Sequence, residues 1–360
     1  MMRDCAARCR LLDMTIQSGW YASELRRELG LRNRRWARGW SHVESYGNPP
    51  VIVYMPESGC HGNFFDAAYA AITARPEWRR RFDKIHAQGR ALPKPEPESG
   101  PARRWRELDS SMSSDALLMN VFCAPGVAEA PAVRQALGVD GEDLPVFGWR
   151  ARVPLRSGHF DRTEVDMQWG DLLVEAKLTE SDFQIKAAAV VEAYRDFDAV
   201  FDRELLPRVE LATKRLREAT EFPENYSQEF EEASESVRTE SQELPASTRL
   251  TAPMAETGSA MEVECAYAGY QLIRNVLAAH AQGCSFCVIH DERRPDLREA
   301  WFEVMAAVKS AGMRVRLKVL TWQELSALLP EGLQEFLDQK YGIVAPGMVA
   351  SPAGDAAEFE

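Results

Sequence analysis

An α/β fold is what the sequence predicts, and three observations carry that expectation. Residues 161–183, DRTEVDMQWGDLLVEAKLTESDF, place two short runs of β-formers around Trp169-Gly170 and Asp171, which reads as a hairpin with its turn within Gln168 to Asp171. Apolar residues recur at helical spacing on both sides of it, in SSMSSDALLMNVF before and in YQLIRNVLAAHAQG after. Two later β-rich runs, CSFCVIH and RVRLKVLTW, are separated by another helical stretch, LREAWFEVMAAVKSAG. From Ser110 to Trp322 the order is therefore helix, three strands, helix, strand, helix, strand.

The elements follow in chain order. In residues 20–46, Ser23 reads as the cap of a helix carrying Leu25 and Leu29, Gly30 as its break, and RNRRWARGW as the start of a second element. A helix-turn-helix there would offer Arg32, Arg34, Arg35 and Arg38 to phosphates, whereas a helical hairpin with a solvated arginine face is the plainer reading. PPVIVYMPESG (49–59) reads as a strand, and one or two helices follow, ending in the run Arg79, Arg80, Arg81. His61 beside Cys60 has no orienting group nearby in sequence and suits a turn. KPEPESGP (94–101) is a connector, and Arg103, Arg104 and Arg106 with Trp105 form a basic, aromatic patch after it. PVFGWRARVPLRSG (145–158) is the first strand. Beyond the hairpin, Phe183, Ala187, Val190, Tyr194, Phe197 and Phe201 are spaced as on a helix. Residues 218–260 are rich in Glu, Ser, Thr and Pro and read as a flexible acidic insertion. Residues 261–283 read as a helix closed by Gly283, with Gln271, Arg274 and Asn275 on a polar side, and 314–322 as an edge strand with basic Arg314, Arg316 and Lys318 on its outer face. The expected organisation is a basic, mainly helical region (1–109), the first part of a core (110–217), the insertion (218–260), the second part of the core (261–342) and a disordered tail (343–360).

Composition is that of a globular protein, 45% hydrophobic and 27% charged. No apolar run approaches a membrane span, and the N-terminus lacks the apolar stretch of a signal peptide, so a cytoplasmic location is expected. Seven scattered cysteines fit reduced thiols. His280, Cys284, Cys287 and His290 have zinc-ligand chemistry, but Cys287 and His290 would point to opposite faces of a strand. The net charge of −12 is unevenly spread: residues 1–110 hold 19 Lys and Arg against 13 Asp and Glu, while 218–243 hold nine Glu against Arg238 alone. The basic first part leaves nucleic acid open as a partner.

The hairpin carries the chemistry. With a loop of two or four residues, Glu164, Asp166, Leu173, Glu175 and Lys177 share one face, and Val165, Met167, Leu172, Val174 and Ala176 the other. Carboxylates gathered on one face repel unless one takes a proton or a cation sits between them. Mg²⁺ accepts one or two carboxylates, keeps waters and completes its shell with phosphate oxygens, which suits phosphodiester hydrolysis with a lysine nearby.

Asp166 followed by Glu175-Ala176-Lys177 resembles the PD-(D/E)XK, or restriction-endonuclease-like, nuclease superfamily, with Val165 standing where the proline of that name would be. The resemblance covers roughly half of the chain. It implies an α-β-β-β-α-β core, a mixed sheet flanked by helices. It also implies Mg²⁺, with Mn²⁺ as the alternative, held by Asp166, Glu175 and the carbonyl of Ala176; Lys177 orienting or polarising the attacking water; and Glu164 assisting as a neighbouring or second-ion ligand. By the same resemblance Asp115 or Asn120 lends a further group from the preceding helix, Gln271 faces the site from the following one, and the substrate is nucleic acid, DNA by analogy. Two rival readings stand beside the nuclease. One is a catalytically inactive module of the same fold that binds nucleic acid or a protein partner. The other is a hydrolase with carboxylates as general acid and base, against which the chain shows no Gly-rich phosphate loop and no G-x-S-x-G elbow.

Overall fold

The computed structural model describes residues 20–47, 50–85, 105–213 and 262–353, with no side-chain detail for 211–213 and 262–264. The acidic stretch 218–260 and the connector 94–101 lie outside the described residues. The chain divides into one compact unit of 1–209 and 265–360 and a second of 210–264, of which only the two ends are described.

Five strands make the central sheet: β1 (Val146–Arg150), β2 (Glu164–Trp169), β3 (Leu172–Ala176), β4 (Ser285–His290) and β5 (Leu317–Thr321), in the order β5-β4-β3-β2-β1. β1, β2 and β3 are antiparallel neighbours, whereas β4 runs parallel to both β3 and β5, so the sheet is mixed. Six principal helices accompany it: α1 (residues 20–36), α2 (Asp66–Ala74), α3 (Ser114–Phe122), α4 (Tyr270–Gln282), α5 (Pro295–Ala306) and α6 (Glu331–Tyr341). Leu117, Leu118 and Val121 of α3 pack with Leu333 and Leu337 of α6, Leu25 and Leu29 of α1, and Met167, Leu172 and Val174 of the sheet. Leu272, Ile273 and Val276 of α4 pack with Trp301 of α5 on the other sheet face, against Leu173, Phe286 and Val288. Alternation along β3 and β4 produces these two cores, since successive side chains leave opposite faces. Among the described residues, no helix is long and apolar enough to cross a membrane.

The hairpin turn is Gly170-Asp171: Trp169 pairs with Leu172 and Met167 with Val174, which is the two-residue loop. Gly170 has φ +54, the left-handed conformation that such turns require. The expected faces hold from Met167 through Ala176. Val165 departs from them and packs with Leu173, because the ladder with β3 ends at Met167 and β2 turns away beyond it.

Several elements differ from the sequence expectation. α1 runs unbroken through Gly30, which is buried, and Ser23 Oγ donates to the Trp20 carbonyl rather than capping a helix. A glycine inside a helix costs roughly 1 kcal/mol, a cost the surrounding helix tolerates. Residues 183–201 form no continuous helix. A short strand, Ile185–Ala187, pairs with 266–268, and single helical turns follow at Ala188–Val191 and Phe197–Val200. Phe183, Tyr194, Phe197 and Phe201 are all buried, so their spacing reports a common core and not a helical stripe. Residues 262–268 are a strand, and α4 begins only after Gly269, whose φ of +74 turns the chain. The first strand ends at Arg150, and Val153–Pro154 pairs instead with Phe160–Asp161. The last strand is an edge strand as expected but begins at Leu317. Arg314 belongs to a helical turn, and Lys318 donates to the Leu137 carbonyl at 2.5 Å. Residues 343–353 of the expected tail pack against the body: Ile343 is buried, Ser351 Oγ donates to Asp338 at 2.6 Å, and Arg32 donates to the Ser351 carbonyl. Arg32 is thereby buried rather than on a solvated face.

Candidate active site

The candidate residues meet at the carboxyl end of β3, where β2 leaves it. The cause is local. Asp166 Oδ2 accepts the Ala176 amide at 2.8 Å, so a side chain takes the bond that a β2 carbonyl would otherwise make, and the two strands part. On the other side, β3 stays in register with β4, and the Lys177 amide donates to the Ile289 carbonyl at 2.8 Å. Trp322 Nε1 donates to the Lys177 carbonyl at 3.0 Å. The end of β3 is thus pinned while its acidic neighbour strand opens.

Glu175 and Lys177 are 2% and 4% exposed, and such burial requires that each be paired. Lys177 Nζ donates to Glu175 Oε1 at 2.7 Å, and Asn275 Nδ2 of α4 donates to Oε2 at 2.8 Å. The lysine also stands 5.5 Å from the Phe183 ring centroid. Burial opposes its charge, but Glu175, Glu180 and Asp166 outweigh that and hold its pKa above the ordinary value. Asp166 behaves oppositely. Part of the residue reaches solvent, and burial, then Glu175, then Asp115 push its pKa up to about 8 against the pull of Lys177 and the Ala176 amide. Near neutral pH this carboxyl holds a proton in the absence of a cation.

A third acidic residue enters from α3. Ser113 accepts the Ala116 amide at 3.1 Å and caps the helix, which sets Asp115 in its first turn, buried. Asp115 Oδ2 accepts from Arg81 at 2.8 Å and from Lys84 Nζ at 2.6 Å. Burial would raise the Asp115 pKa, but Arg81 and Lys84 bring it below the ordinary carboxylate value. The same Arg81 donates to Glu164 Oε2 at 2.7 Å, so Glu164 sits at the rim of the site, bound to a cation.

The sequence-predicted residues therefore separate into groups. Asp166, Glu175, Ala176 and Lys177 stand together. Glu164 is beside them, tied to Arg81. Gln271 lies one turn before Asn275 on α4, partly exposed, and the α4 side chain bonded to Glu175 is Asn275. Asn120 is an interior amide, with Oδ1 accepting the Phe65 amide at 2.7 Å and Nδ2 donating to the Asn63 and Ala116 carbonyls. His61 is buried with Nε2 against Asp109 Oδ1 at 3.1 Å and Nδ1 accepting the Asn63 amide, so it holds its own turn. Arg81, Lys84 and Asn275 were not singled out as site residues. The signal for Asn275 was its place four residues after Gln271 on one helix; Arg81 and Lys84 carried none that set them apart from their basic neighbours.

The residues present fit a hard divalent ion. A carboxylate oxygen has two lone pairs, so the hydrogen bonds on Asp166 and Glu175 leave acceptor capacity. Among the described residues, Asn275 Oδ1 is buried with no hydrogen-bond partner, an acceptor suited to a water of such an ion's shell. Among the described residues, no three or more His, Cys, Asp or Glu are gathered as if round an ion. Two carboxylates with waters and substrate oxygens is the coordination style of Mg²⁺. No curated protein and no solved structure matches the chain. A family model described as restriction endonuclease associating with ARP matches residues 31–342, and the chain belongs to that family.

Proposed function

We propose that this chain is a metal-dependent nuclease that hydrolyses phosphodiester bonds, with DNA as the substrate and the cytoplasm as its location. The observation that supports this most is the convergence of Asp166, Glu175 and Lys177 at one strand end, with the Asp166 carboxyl pushed up to about 8. A carboxyl that burial and two neighbouring carboxylates push above its ordinary range is a place prepared for a cation. In this reading Asp166, Glu175 and the carbonyl of Ala176 hold Mg²⁺ or Mn²⁺, which when bound lowers the pKa of water and polarises the phosphate.

Lys177 supplies a fixed ammonium group beside Glu175, where it orients the attacking water and offsets charge on the scissile phosphate. Asn275 fixes the orientation of Glu175. Gln271 faces substrate from one turn earlier on α4. The family description adds ARP, and association with such a protein partner is part of the proposal for this chain.

The test is calorimetric titration of Mg²⁺ or Mn²⁺ into the wild type and Asp166→Asn, with plasmid nicking measured on the same samples. Binding and nicking by the wild type, both lost in the variant, are the expected result. Salt-dependent nucleic-acid binding by the wild type without ion binding or nicking would replace this reading with that of an inactive binding module.

A further inference from the structure

Arg81 is seated in the body of the protein in a way that surface arginines are not. It is 8% exposed, and its guanidinium bridges two elements, with NH1 on Glu164 of β2 at 2.7 Å and NH2 on Asp115 of α3 at 2.8 Å. The seat is bare backbone. Gly148 of β1 has φ +63, and a Cβ there would overlap the guanidinium, standing 2.9 Å from Arg81 Cζ and 3.4 Å from Glu164 Oε2. Positive φ together with this close approach makes glycine the residue that fits. Lys84 reaches the same Asp115 oxygen at 2.6 Å and remains 40% exposed.

The charges in this corner are unevenly disposed. Asp115, Glu164 and Glu175 are each paired with a cation, Asp115 with Arg81 and Lys84, Glu164 with Arg81 and at 3.9 Å Arg150, and Glu175 with Lys177. Among the described residues, the Asp166 carboxyl stands in no ion pair, so one divalent ion at Asp166 and Glu175 would supply the counter-charge this corner lacks. A second ion would have as candidate ligands Glu164 and Asp115, both already held by a guanidinium.

We infer that Arg81, fixed on Gly148, withholds Glu164 and Asp115 from metal ligation, so that the site takes one divalent ion and the guanidinium provides the charge a second would bring. This rests on the nuclease reading and adds to it a positioning residue and a stoichiometry. Lysine in place of Arg81 is not equivalent, because only the planar fork spans both carboxylates.

The experiment is Mn²⁺ binding to the full chain, followed by calorimetry and by the electron paramagnetic resonance of the bound ion. For the wild type, one ion per chain with the spectrum of an isolated Mn²⁺ is expected. Arg81→Met should take up two ions with the broadened signal of a coupled pair, and Arg81→Met combined with Asp115→Asn should return to one. Glu164→Gln, at a partly exposed rim position that folding tolerates, should bind the one ion with an affinity within about threefold of wild type, where a lost ligand costs more than the roughly 10–100-fold seen for outer partners. Two ions in the wild type, a folded Arg81→Met that still binds one, or a large loss of affinity in Glu164→Gln would each overturn the inference while leaving the nuclease reading in place. No ion bound to the wild type would remove the nuclease reading, and this inference with it.

Discussion

The Asp166 carboxylate accepts the Ala176 amide at 2.8 Å, and in doing so it both opens the sheet and closes off part of its own hydration. A β2 carbonyl in that place would have continued the ladder past Met167 and given a closed surface. Beside the point where the ladder stops, Glu175 and Lys177 of β3 and Asn275 of α4 are joined by hydrogen bonds. Sheet geometry and site chemistry have one cause here.

Asp166→Asn should stabilise the ion-free protein at neutral and alkaline pH. The folded-state pKa of about 8 lies above the unfolded value near 3.9. Below the unfolded value both states are protonated and the residue contributes nothing. As pH rises from there through the folded value, the unfolded chain loses its proton first, so the wild type is progressively destabilised, fully so above about pH 8. Asparagine keeps an acceptor for the Ala176 amide and removes the charge. Thermal unfolding in chelator should show the variant with the higher Tm at pH 8, by roughly 2–4 °C for each kcal/mol relieved, and no gap at pH 4. Added Mg²⁺ should raise the Tm of the wild type only.

Lys177→Met should abolish cleavage and also destabilise the fold. Its removal leaves Glu175 buried with Asn275 as its remaining partner, and stranding one member of a buried ion pair costs about 3–5 kcal/mol. Glu175→Gln with Lys177→Met removes both charges and should recover most of that loss in denaturant titrations, with cleavage still absent. A double variant no more stable than Lys177→Met alone would show that the pair is not the source of the cost.

Asn275→Ala and Gln271→Ala separate two roles on one helix face. Asn275 donates to Glu175 Oε2 at 2.8 Å, so its loss should weaken Mn²⁺ binding by about 10–100-fold and cost about 1.5–3 kcal/mol of stability. Gln271→Ala should leave both unchanged and lower the cleavage rate, measured at saturating ion. Weakened ion binding in Gln271→Ala would move it from the substrate to the ion.

The hairpin was legible because alternation and turn chemistry are local. Gly170 and Asp171 at the turn and alternation along the two strands suffice to place Met167, Leu172, Val174 and Ala176 on one face with Leu173 on the other, as the two-residue loop has them. Asn275 was half legible, since helical spacing put it with Gln271 but could not say which of the two reaches β3. Arg81 was not legible as a site residue. Its partners are 34 and 83 residues away, and nothing in a run of three arginines distinguishes the one that lies over Gly148. Helix 20–36 and the broken stretch 183–201 failed for a shared reason: spacing and a single glycine were weighed where tertiary burial decides.

Lys340→Met should raise stability at neutral pH and flatten its pH dependence. The Lys340 side chain on α6 is fully buried, with Nζ donating to Asn33 Oδ1 at 2.6 Å and standing 4.1 Å from the Tyr54 ring centroid. Burial lowers its pKa well below the ordinary value. Between the folded value and the unfolded value near 10.4, the unfolded chain binds the proton more tightly, so the wild type gains stability as pH rises across that window. Methionine fills a similar volume without a charge to desolvate. Asn33 Oδ1 keeps the Tyr54 hydroxyl, which donates to it at 3.0 Å, so no acceptor is stranded. Urea titrations at pH 7 and pH 9.5 should give a higher midpoint for the variant at pH 7 and a smaller difference at pH 9.5. A variant less stable than wild type at both would mean that the ammonium group is held by Asn33 and the Tyr54 ring more strongly than burial opposes it.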